Sequence, residues 1–130
     1  MTIVVGYVPT REGEAALAQA IAEAQKNNTS LLVINSSKGD ALVDNRFAQK
    51  TEMDEVKERL TSSGIQFAIT QPVRDNDAAI EVLEAAEEHN AELIVIGLRR
   101  RSPVGKLIMG SVSQRILLEA DCPVLAVKAN

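Results

Sequence analysis

Five short runs rich in Val, Ile and Leu, at 3–8, 31–35, 65–70, 93–97 and 123–128, punctuate the chain. Four segments of helical periodicity lie between them, and this strict alternation constrains the fold more than any other feature. The first helical segment, 12–26, sets Leu17, Ile21 and the alanines at 16, 20 and 24 on one face. The second, 46–62, spaces Met53, Val56 and Leu60 at helical intervals. The third starts near 77 behind a cap at Asp75 or Asn76 and carries Ile80, Leu83 and Ala86, and the fourth starts at Ser111 with Val112, Ile116 and Leu117. Runs that are apolar throughout, such as Leu-Ile-Val-Ile at 93–96, suit strands covered on both faces, hence a parallel sheet. Right-handed crossovers then give an α/β fold, an open doubly wound five-stranded parallel sheet with helices on both faces. The 130 residues form a single domain, 1–130, on this reading.

Such sheets bind ligands beyond the carboxyl ends of their strands, where the winding reverses. Two strand orders are common, 2-1-3-4-5 and 3-2-1-4-5. They place the crevice beside the third or the fourth strand's loop. The connection after the third run is short, at 71–76, whereas the one after the fourth is long and basic. That asymmetry favours 3-2-1-4-5.

Charge points to the same place. Residues 93–118 hold Arg99, Arg100, Arg101, Lys106 and Arg115 and no acid, leaving nine basic against eighteen acidic residues elsewhere. An acidic chain with one basic segment is suited to a localised anion and not to coating nucleic acid. Aromatics are limited to Tyr7, Phe47 and Phe67, too few for stacking on single strands or cradling a flavin. One cysteine and one histidine exclude a disulfide framework and leave no zinc-ligand spacing. No apolar run reaches the roughly 18 residues of a membrane span, and the first residues lack the basic start of a signal peptide. The expected location is cytoplasmic, without membrane partners.

The segment 97–111 reads Gly-Leu-Arg-Arg-Arg-Ser-Pro-Val-Gly-Lys-Leu-Ile-Met-Gly-Ser. A loop of about twelve residues is long for a strand-to-helix connection, which points to function. Gly97 ends a buried strand, where the missing side chain lets a ligand approach the backbone. Gly110-Ser111 opens a helix whose unpaired N–H groups and positive dipole end suit a phosphate, with Ser111 and Ser113 adding hydroxyls. Taken alone, Gly110-Ser111 is equally a plain helix cap. Other motifs fail: Gly105-Lys106 lacks the Ser/Thr and first glycine of a P-loop, and Tyr7-Val8 and Thr70-Gln71 stand where a phosphoacceptor domain needs acids. The first loop, 8–11, is no glycine-rich dinucleotide fingerprint. His89 reads as a solvated or capping residue and Cys122 as a small packed one. Neither has the partner that nucleophilic catalysis needs, and no well-placed general base stands near the loop, so the chain is expected not to be an enzyme.

The stretch 91–127, AELIVIGLRRRSPVGKLIMGSVSQRILLEADCPVLAV, resembles the C-terminal signature of the universal stress protein family. The resemblance spans the chain and implies the adenine nucleotide alpha-hydrolase-like fold, order 3-2-1-4-5. The family's ATP-binding members carry G-x2-G-x9-G-[ST]; Gly97 matches the first glycine and Gly110-Ser111 the last pair, at the family's spacing. Arg100 takes the second glycine position, bringing bulk and a guanidinium where a backbone would face phosphate. Val8 falls on the family's nucleotide-contacting Asp and cannot accept a hydrogen bond; Ile34 matches an apolar position lining the adenine pocket through its backbone. The resemblance therefore implies ATP or AMP, with or without magnesium, as cofactor. Gly97, Gly105, Gly110, Ser111, Val112 and Ser113 contact it through backbone groups and hydroxyls, and Arg99, Arg100 or Lys106 supplies charge. Binding is expected to order 98–109 and alter the surface shown to a regulatory protein partner.

In that strand order the final run, Pro123 to Val127, is a sheet edge, apolar on both faces. Such an edge invites pairing with its twin in a symmetric homodimer, which the resemblance also implies. The alternative function is a nucleotide-independent interaction module, with Val8 and Arg100 marking a degenerate site.

Overall fold

Backbone hydrogen-bonding needs and the apolar runs together settle which segments become strands. The computed structural model describes residues 2–35, 45–71, 78–100, 107–108 and 110–129, with backbone alone at 45–51, 99–100 and 107–108. Its elements are β1 (Thr2–Tyr7), α1 (Arg11–Asn27), β2 (Ser30–Asn35), α2 (Asn45–Ser63), β3 (Phe67–Thr70), α3 (Ala78–Glu88), β4 (Leu93–Arg100), β5 (Leu107–Ile108), α4 (Ser111–Glu119) and β6 (Val124–Lys128). The parallel sheet runs β3-β2-β1-β4-β6, which is the expected 3-2-1-4-5 once β5 is set aside. Its winding reverses between β1 and β4, where Val4 pairs with Ile94 and Val5 with Val95.

Alternation along each strand sends side chains to two separate cores. Ile3, Val5, Tyr7, Val33 and Val95 face α1 and α2, packing on Leu17, Val56 and Leu60. Val4, Ile34, Ile94 and Ile96 face α3 and α4, packing on Ala79, Val82 and Ile116. Each fully buried branched aliphatic contributes about 1.5–3 kcal/mol, so this double burial of β1 and β4 is what makes them central. Helix α1 starts cleanly because the Thr10 hydroxyl accepts a hydrogen bond from the Gly13 N–H at 3.1 Å. It stops at Asn28, whose left-handed φ of 52° closes the last turn onto the Ala24 and Gln25 carbonyls.

Several sequence expectations shift. The loop after Gly97 is partly strand: β4 runs on to Arg100 and pairs antiparallel with β5, Arg99 opposite Ile108 and Arg100 opposite Leu107. Residues 101–106, the caps expected at Asp75 or Asn76, and Gly105 lie outside the described residues. Strand β3 begins at Phe67, after a turn in which Gly64 takes φ 78°. Helix α3 buries Ala79, Val82 and Ala86 and leaves Ile80 half-buried, because small residues let it sit close to the sheet. In α4 only Ile116 is buried; Val112 and Leu117 lie at the surface and Leu118 is 78% exposed. With β6 at the edge of the sheet, no further strand among the described residues extends beneath α4's outer flank.

Candidate functional site

The ends of β1 and β4 diverge at the winding reversal, and a cavity of about 280 Å³ opens between them. Its floor is apolar: Gly6 and Val8 from β1 and its exit, Ile96 from β4, Ala78 and Val82 from α3, Ile116 from α4. The first turn of α4 lines it with Gly110, Ser111, Val112 and Ser113, and the first turn of α1 with Glu12 and Gly13, beside Gly97.

The α4 wall presents a helix N-terminus without a side-chain cap, the N-cap Gly110 being in extended conformation. The first intrahelical bond of the turn runs from the Gln114 N–H to the Gly110 carbonyl at 3.0 Å. The N–H groups of Ser111, Val112 and Ser113 have no acceptor within the helix and point outward with the positive end of the dipole. A Cβ built on Gly110 meets nothing within 4 Å, so this approach is open.

The α1 wall is held by close backbone packing. A Cβ on Gly13 would fall 1.7 Å from the Val8 carbonyl oxygen, and one on Gly97 would fall 2.2 Å from the Glu12 carbonyl oxygen. The first turn of α1 therefore wedges between the ends of β1 and β4, and only glycine permits it at both points. This gives Gly97 a packing role that differs from the ligand approach expected of it, although it also lines the cavity. On the far face of β1 the Tyr7 hydroxyl donates to Glu14 Oε1 at 2.7 Å, and Arg59 Nη1 bonds Glu14 Oε2 at 2.5 Å. Burial first, and the Glu14 contact second, push the Tyr7 phenol well above its usual range, so it stays protonated. This bridge ties the end of β1 to α1 and α2.

Of the residues singled out from sequence, Val8, Gly97, Gly110, Ser111, Val112 and Ser113 meet in this one cavity. Ile34 does not line it: its side chain is 2% exposed in the core under α3, one strand away, where it pairs with Gly6. Arg99 and Arg100 belong to the β4–β5 ladder. Sequence reading passed over Glu12, which among the described residues is the one ionisable residue lining the cavity. Gly13, a glycine inside a helix start, was the available signal, because it marks a close backbone approach. Cys122 is half-buried against the α3 side of the sheet, and burial raises its thiol pKa.

Residues 1–128 match the Universal stress protein family. The chain belongs to that family. A universal stress protein of Mycolicibacterium smegmatis is 53% identical over 128 residues, covering 98% of each chain. Among solved structures, a universal stress protein from Archaeoglobus fulgidus superposes with a TM-score of 0.79 at 29% identity, covering 98% of both chains. A second from the same organism, solved in complex with dAMP, gives 0.75 at 24% identity and the same coverage. The family assignment and the sheet order agree, as the C-terminal signature implied.

Proposed function

We propose that this universal stress protein binds an adenine nucleotide, ATP or AMP, and acts as a non-catalytic regulatory homodimer of the cytoplasmic stress response. The observation that carries the reading is the uncapped first turn of α4 opening onto an apolar-floored cavity at the winding reversal. Phosphate lies against the Ser111, Val112 and Ser113 N–H groups with the Ser111 hydroxyl as a further donor, and the apolar floor receives the rest of the nucleotide. A dAMP complex of a protein with the same fold is consistent with a ligand of this chemistry.

The homodimer rests on β6. Leu125 and Val127 pack on one core and Val124 and Ala126 on the other, yet all four remain half-exposed, and among the described residues β4 is the strand's one neighbour in the sheet. An antiparallel β6 pair would satisfy the outer backbone groups and cover these side chains. Light scattering at tens of micromolar should read twice the chain mass; a monomer there refutes the dimer.

Isothermal titration of ATP and AMP, with and without magnesium, into protein refolded from denaturant tests the ligand. The expected dissociation constant is micromolar, about −8 kcal/mol. No heat and no thermal shift at millimolar nucleotide would leave the second reading, a nucleotide-independent interaction module. That reading draws on the exposed Leu117 and Leu118 flank of α4 and on Val8 in the cavity floor. Under it, Arg100→Gly should create or strengthen ATP binding; under the first, it should weaken or retune it.

A further inference from the structure

The segment from Tyr7 to Glu14 lines part of the cavity with Val8, Glu12 and Gly13. Short hydrogen bonds fold it tightly. The Thr10 N–H donates to the Val8 carbonyl at 2.8 Å, the Gly13 N–H to the Thr10 hydroxyl at 3.1 Å, and the Glu14 N–H to the Thr10 carbonyl at 2.8 Å. Its two ends are then stapled together on the far face of β1, where the Tyr7 hydroxyl donates to Glu14 Oε1 across seven residues of sequence. The other carboxylate oxygen, Oε2, accepts from Arg59 Nη1 of α2. One carboxylate therefore joins β1, α1 and α2. The members of this staple differ in how freely they can let go. Tyr7 is 1% exposed and packs in the core with Val56 and Leu60 of α2, so its ring cannot leave without disrupting that core. The Glu14 and Arg59 side chains are 48% and 43% exposed, so their ion pair can open to water. Arg59 stands 45 residues away from Glu14 in sequence and does not line the cavity.

We propose that Arg59 is a positioning residue of the ligand site: by holding Glu14 against the Tyr7 hydroxyl it fixes the segment between them, so that filling the cavity and closing the ion pair favour one another. The inference rests on the nucleotide reading above. The coupling is reciprocal: whatever factor the closed pair adds to nucleotide affinity, bound nucleotide adds to closing the pair. Helix α2, on the face of the sheet away from the cavity, thereby registers whether the cavity is full.

The experiment titrates AMP into wild-type, Arg59→Ala, Arg59→Lys and Tyr7→Phe proteins, after circular dichroism and thermal melts have shown each folded at the titration temperature. Amide hydrogen exchange of wild type and Arg59→Ala, with and without AMP, accompanies it. Arg59→Ala should weaken AMP about threefold, the scale of an ion pair this exposed. Arg59→Lys keeps the charge and should stay within about 1.5-fold of wild type. Tyr7→Phe should weaken AMP about fivefold, and adding Arg59→Ala to it should cost little more, because both act through Glu14. In wild type AMP should slow exchange along α2 around Arg59, and in Arg59→Ala that protection should vanish. An Arg59→Ala protein that melts lower yet binds AMP as wild type does overturns the proposal, since the pair would then serve stability alone. Equal losses in Arg59→Ala and Arg59→Lys overturn it too, as does the absence of AMP-dependent protection in α2 of wild type. If no nucleotide binds wild type at all, the nucleotide reading itself falls, and this inference with it.

Discussion

Gly97 and Gly110 share one sequence motif but should respond to alanine in opposite ways. A Cβ at Gly97 would sit 2.2 Å from the Glu12 carbonyl oxygen and 2.6 Å from its carbonyl carbon. Relief requires α1 and β4 to part by about 1 Å, within interiors packed as densely as organic crystals. The obstacle is backbone, so no rotamer change removes it. Helix α1 cannot easily retreat either: Gly13 is already pressed on Val8, and Ala16, Leu17 and Ala20 are fully buried. Overpacking of this kind costs about 1–3 kcal/mol, and a backbone clash belongs at the upper end. For a domain of this size that lowers Tm by about 10 °C and shifts the urea midpoint by about 1–2 M. Gly110→Ala meets nothing within 4 Å and keeps an extended φ of −69° that alanine adopts freely. Its cost should stay under about 1 kcal/mol, the difference between glycine and alanine at an N-cap. Thermal and urea melts of both variants decide the matter. A Gly97→Ala protein that melts within about 1 °C of wild type would refute the claim that the first turn of α1 is locked by this contact.

Other substitutions probe the rest of the site. Gly110→Ser should add a few tenths of a kcal/mol of stability by capping α4 while weakening AMP several-fold in titration, because the new hydroxyl competes for the N–H groups proposed to hold phosphate. Tyr7 is the one tyrosine and there is no tryptophan, so near-ultraviolet absorbance follows its ionisation alone. Its folded pKa is raised by burial and by Glu14, so the associated stability is complete below about pH 10 and is lost as pH climbs beyond it, where the unfolded chain ionises first. Native protein should therefore show no tyrosinate near pH 10, and an ordinary titration there would contradict the buried phenol. Tyr7→Phe should lose about 1 kcal/mol in urea melts from the hydrogen bond to Glu14.

Much of the architecture was legible because the signal was physical and local. Strands such as Leu-Ile-Val-Ile at 93–96 are apolar on both faces, and that leaves only a sheet covered on both sides. The one long basic connection picked the winding reversal. What escaped reading was tertiary in origin. Arg99 and Arg100 look like loop residues, yet two ladder pairs with β5 make them strand. Val112 and Leu117 look like a core face, but α4 sits at the sheet's edge and buries Ile116 alone. Ile34 was placed at the ligand by resemblance through its backbone alone, and its side chain packs in the core beneath α3. Glu12 was one acid among eighteen in the sequence. Only the wedge formed by two glycines places it at the cavity.

The position of β6 has a consequence for how the chain is made. It follows every other strand in sequence but seals the flank of β4, whose Ile94, Val95 and Ile96 are the most deeply buried run on that side. Residues 101–123 separate the two strands, so at ordinary elongation rates β4 is made some one to five seconds before its cover. During that interval the growing chain presents an open, apolar strand edge. A chain truncated before β6 would keep that apolar edge open, and the five residues of β6 would close it.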